Sequence, residues 1–117
     1  MHFILFLTFE GISFSVYGPY VENPESDRRV NYYKLVNNWD DIDLFYDDIN
    51  DINNTCGALL GYGDLDYFNA SKCAKLEKWI EERLHKPLVP RYKEILETLK
   101  DYCHRAVELN TGVMIDL

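Results

Sequence analysis

Three cysteines, three histidines and twenty carboxylates are the groups in this sequence that could do chemistry. Their spacing decides which chemistry is open to them. A thiol nucleophile needs a base within hydrogen-bond reach. Cys103 and His104 are adjacent. On a helix neighbours diverge by about a hundred degrees, so these two cannot form that pair alone. A thiol- or metal-dependent enzyme built on them would need a third residue supplied by the fold. Structural zinc sites carry cysteines two to four residues apart. Cys56, Cys73 and Cys103 never come that close along the chain.

A calcium loop needs oxygen ligands at positions one, three and five, glycine at six and glutamate at twelve. Starting from Asp51, the sixth position is Cys56 and the twelfth is Tyr62; starting from Asp48, the fifth is Ile52. Both frames fail. Gly57, Gly61 and Gly63 do not make a phosphate cradle. No Lys-Ser or Lys-Thr follows them, and Asp64 would repel phosphate. They read as turn residues. The sequence therefore carries no catalytic motif, and neither a metal nor a cofactor is expected.

The carboxylates are distributed unevenly. Residues 35–71 hold eight aspartates (Asp40, Asp41, Asp43, Asp47, Asp48, Asp51, Asp64 and Asp66) and no lysine or arginine. The rest of the chain carries twelve acids and twelve bases, so the whole formal charge of −8 falls in this one stretch. Such acidity argues against direct binding of nucleic acid, where lysine and arginine must replace counterions at phosphates. It argues equally against anionic membranes. A basic protein partner is what an acidic face attracts.

These groups have to be positioned by a fold. At 117 residues, 47% of them hydrophobic, the chain reads as a single domain with a real core. Residues 2–9 form an apolar run suited to a strand buried on both faces. Residues 12–17 alternate, with Ile12, Phe14 and Val16 on one side. Glu10-Gly11 between them predicts a β-hairpin. A third strand is expected over 30–36. Asn37-Asn38 breaks the pattern and can cap a helix beginning at Trp39.

From Trp39 to Ile52 the period is helical. Trp39, Ile42, Phe45, Tyr46, Ile49 and Ile52 share one face, while Asp40, Asp43, Asp47 and Asp51 share the other. Trp39 is expected in the core. Aspartate is a poor helix former, and like charges at these spacings repel. This segment works against its own helix, a conflict that often marks function. Residues 53–67 read as a loop with exposed Tyr62 and Tyr67. Asn69 caps a helix over 70–84, and Pro90 opens a second over 91–109. Their short link makes them an antiparallel pair. Residues 113–117 add a strand to the hairpin. The expected class is α+β: a small antiparallel sheet, built from an N-terminal β-hairpin and a C-terminal strand, packed against the helix pair and a short acidic helix.

Cys73 and Cys103 fall on apolar helical stripes, which suits a reducing, cytoplasmic compartment. The apolar N-terminus lacks the basic flank and cleavage site of a signal peptide, and no run is long enough to span a bilayer. Glycosylation patterns at Asn53 and Asn69 would then be silent. In size, acidity and absence of catalytic residues the chain is similar to phage anti-defence proteins, such as anti-CRISPR factors, and to immunity proteins that neutralise toxin nucleases. That similarity implies an inhibitor that docks on a basic nuclease or nucleic-acid-guided effector. The residues expected to carry it are Asp40, Asp43, Asp47, Asp51, Asp64 and Asp66 for steering, with Tyr62 and Tyr67 as anchors. A homo-oligomeric structural protein, paired through a sheet edge, is the remaining alternative.

Overall fold

The computed structural model describes residues 1–36 and 39–117. The expected cap at Asn37-Asn38 lies outside the described residues. The apolar N-terminal run becomes β1 (His2–Phe6), and its composition decides its place. Residues 3–6 are all buried, so this strand needs cover on both faces and backbone partners on both edges. It lies between β4 (Val30–Lys34) and β6 (Gly112–Asp116), while β5 (Leu65–Asn69) pairs outside β6. The order is β4-β1-β6-β5, antiparallel throughout.

Register sorts the core. Phe3 stands opposite Ile115 and Leu5 opposite Val113. These side chains face the helices and join the main core. Ile4, opposite Met114, and Phe6 face the other way and meet Val21 and Val30 in a smaller cluster. Among the described residues four helices complete the fold: α1 (Trp39–Asp43), α2 (Ile49–Cys56), α3 (Ala70–Arg83) and α4 (Pro90–Leu109). The Asn69 side chain accepts the Lys72 amide at 2.9 Å and caps α3. Pro90 stands at the start of α4. The two long helices pack on each other and bury Leu76, Ile80, Ile95, Leu99 and Cys103.

The α+β class holds, as do the third strand and the C-terminal strand's place beside β1. The pairing near the N-terminus differs from expectation. Residues 2–6 do not form a hairpin with 12–17, because both edges of β1 are taken by β4 and β6. Instead β2 (Ser13–Ser15) pairs with β3 (Gly18–Tyr20) in a separate two-stranded sheet. Residues 65–67, expected in a loop, form a strand together with Phe68 and Asn69, since the outer edge of β6 recruits them against their aspartate content.

The acidic segment is not one helix. Between α1 and α2 the chain closes i to i+3 bonds: Phe45 N to Ile42 O at 3.0 Å, Tyr46 N to Asp43 O at 3.1 Å and Asp48 N to Phe45 O at 2.9 Å. Such tightening suits a segment whose aspartates disfavour a longer α-helix. Residues three apart then eclipse. Ile42 and Phe45 align inward and are buried, while Asp43 and Tyr46 align outward.

Candidate functional site

The eight aspartates of the acidic stretch divide into two groups. Asp41 is buried, and the Arg91 guanidinium grips it through two nitrogens at 2.7 and 3.0 Å. That hydrogen bonding raises the Arg91 pKa above the ordinary guanidinium range. Asp48 accepts the Tyr92 hydroxyl at 2.6 Å and the Arg83 guanidinium at 3.0 Å. Burial first, and then the Asp48 carboxylate, push the Tyr92 phenol well above its usual range. Asp51 accepts the Trp79 indole N–H at 2.6 Å. Asp66 accepts the Leu59 amide at 2.7 Å. These four carboxylates fasten the acidic turn and the loop after it to α3, α4 and β5.

The other four accept no hydrogen bond among the described residues. Asp40, Asp43 and Asp47 are exposed along the turn, and Asp64 is exposed on the loop before β5. Beside the first three stand exposed aromatic rings: Trp39 at 61%, Tyr46 at 69% and Tyr62 at 39% accessibility. Burial raises the Tyr62 pKa, and the charges of Asp43, then Asp47, raise it further, so that ring belongs to the same face. Asp43 and Asp47 also border a shallow groove lined by Leu44, Leu88 and Val89, and by Arg83, whose charge is already met by Asp48. Carboxylates beside an apolar strip suit a lysine or arginine, whose stem lies on the strip while its head meets the acid.

The expected site residues are thus only partly brought together. Asp40, Asp43, Asp47 and Tyr62 share one face. Asp51 borders the groove between α2 and α3, its carboxylate engaged by Trp79. Asp64 and Asp66 line a different notch, beside the β2–β3 turn. Tyr67 is not an exposed anchor. It is half-buried, packs edge-on against Phe6 and lies close to Gly18 and Gly112. Burial pushes its phenol up to about 12. Trp39, expected in the core, is exposed instead. At the first residue of α1 it lies beyond the layer that buries Ile42 and Phe45. Sequence reasoning also missed Arg83 and Arg91, because their acidic partners lie 35 and 50 residues away.

The adjacent Cys103 and His104 separate as helix geometry requires. Cys103 is fully buried, and its hydrogen bond with Cys73, together with burial, holds the thiol well above its usual range. His104 lies outside and meets Glu77 at 2.9 Å and Glu108 at 2.6 Å. Nucleophilic cysteines are thiolates in accessible, electropositive surroundings, and Cys103 has neither feature. Among the described residues no group of three potential metal ligands converges, and no helix is long and apolar enough to cross a membrane. Comparison with known proteins finds no matching family model, curated protein or solved structure.

Proposed function

We propose that this chain is a small non-catalytic inhibitor that docks on a basic, nucleic-acid-handling protein and blocks it. Its carboxylates would stand where nucleic-acid phosphates sit. The observation that carries this reading is the split among the aspartates. A fold that needed acids only as internal fasteners would stop at Asp41, Asp48, Asp51 and Asp66. Asp40, Asp43 and Asp47 fasten nothing among the described residues, yet they line up with Trp39, Tyr46 and Tyr62 on one surface. Charge of one sign speeds encounter with an opposite surface, and exposed aromatic rings supply the burial that slows escape. The partner class is a nuclease or a nucleic-acid-guided effector, in a phage anti-defence or a toxin-immunity setting. Three cysteines with no disulfide suit a cytoplasmic location.

The test is the triple reversal Asp40→Lys, Asp43→Lys and Asp47→Lys, used as bait in a host lysate beside the unchanged protein. The unchanged bait should retain a basic nuclease or effector at low salt and release it at high salt, because exposed charges are screened beyond about 10 Å at 0.1 M. Binding should displace DNA or RNA from that protein. The reversed bait should fold normally and lose the partner. Equal retention by both baits sinks the mimicry.

A further inference from the structure

A second surface adjoins the acidic face, and its side chains are apolar. Val16 and Tyr17 form the two-residue tip of the β2–β3 hairpin and are 94% and 72% accessible. Across a notch stand Leu59, 84% accessible, and Leu65, 51% accessible. Scattered apolar residues on a surface need no explanation. These are held outward by dedicated hydrogen bonds. The Ser15 hydroxyl accepts the Tyr17 amide at 3.1 Å and donates to the Gly18 carbonyl at 3.3 Å, closing the tip. Leu59 has its amide fixed by Asp66, and the Asn53 side chain holds both the N–H and the C=O of Leu60 at 2.8 and 3.0 Å. The Leu59 loop, fixed in this way, displays its side chain at little further ordering cost, as a binding anchor requires.

We infer that this notch receives an apolar side chain flanked by lysine or arginine on the partner. The inference rests on the basic partner proposed above and names the chemistry of its contact surface. The charged lining residues of the notch are Asp64 and Asp66, both acidic. Charge therefore favours a cationic visitor over a second copy of this chain, which itself carries −8. Four side chains are far fewer than the roughly 20–30 residues that each side of a standard interface contributes. The partner must extend beyond the notch, and the loop that displays Leu59 continues to Tyr62 on the acidic face.

Two synthetic peptides of equal charge test this against the full chain, one alternating lysine with glycine and the other lysine with leucine. Titrations are followed by NMR. The leucine peptide should bind about tenfold more tightly, the effect of partly burying one leucine, and should shift the methyl signals of Val16, Leu59 and Leu65. Leu59→Ser, or Val16→Ser as a second variant, should remove that advantage and, being neutral, leave lysine–glycine binding intact. Equal affinities, or an advantage that survives both variants, overturn the notch. So does a dimer seen by sedimentation that Leu59→Ser dissociates, because the occupant would then be a second copy. The triple charge reversal separately probes the acidic face through its loss of lysine–glycine binding, so the two ideas fail in distinguishable ways.

Discussion

Asp41 shows how one residue type can serve opposite ends. Its neighbour Asp40 faces water, while Asp41 is buried against Arg91 at the start of α4. Removing Arg91 strands a buried carboxylate away from its guanidinium. Arg91→Ala should therefore destabilise the fold by about 1–3 kcal/mol in urea unfolding. Asp41→Asn should be milder, because the Arg91 side chain is 25% exposed and can turn toward water. The reverse order would count against a buried acid as the critical partner. His104 offers a test by pH. Its hydrogen bond with Glu77 comes first among the causes that raise its pKa, and the charge of Glu108 adds to it. The folded state thus favours the charged imidazole. Its stabilising contribution is full below the unfolded value near 6.5 and is lost as pH rises through the raised folded value. The Tm difference between the protein and His104→Gln should be larger at pH 6 than at pH 8.

At the scale of elements, the acidic segment gives way where local and tertiary demands disagree. Its apolar positions were legible in the sequence: Ile42, Phe45 and Ile52 are buried as their spacing implied. The i to i+3 turns were not legible, because they depend on where Asp41 and Asp48 find their arginines. Trp39 and Tyr46 changed environment with them. The sheet has a comparable pinch point at Gly112. A Cβ there would collide with the Tyr67 hydroxyl, and would lie 2.5 Å from the Phe68 carbonyl oxygen. The backbone carbonyl cannot swing aside. Gly112→Ala should lower stability by about 1–3 kcal/mol, as overpacking does, and thermal unfolding would register it. An unchanged Tm would mean that β5 and β6 can part at this point without loss.

Across the whole molecule, stability should be graded. β1 is central, fully paired and packed on both faces. The β2–β3 sheet has only two strands of three residues, and every residue of β2 is exposed. Two-stranded hairpins are marginal by themselves. In hydrogen exchange the amides of β1 and β6 should open last, by global unfolding, and those of β2 and β3 first. A partner that seats on the hairpin tip should slow exchange there far more than in β1. Equal protection of both sheets without a partner would contradict this ordering.

The sequence by itself determined the class and the main elements. Continuous apolar runs require double-sided burial, amphipathic stripes require a layer to pack on, and Asn69 and Pro90 mark helix starts by local chemistry alone. It also determined that the charge lies in one stretch. Only the tertiary structure decided which carboxylates that charge leaves on the surface. Asp41 and Asp48 are drawn inward by Arg91 and Arg83, Asp66 is held by the Leu59 amide, and Asp51 stays exposed but gives its carboxylate to the Trp79 indole. Tyr67 was drawn inward too, by Phe6, while Trp39 was left outside. Asp40, Asp43 and Asp47 have the same chemistry as the aspartates turned inward. What separates them is distance in space to a cation or donor, and most of those partners lie far away along the chain, where local spacing carries no information.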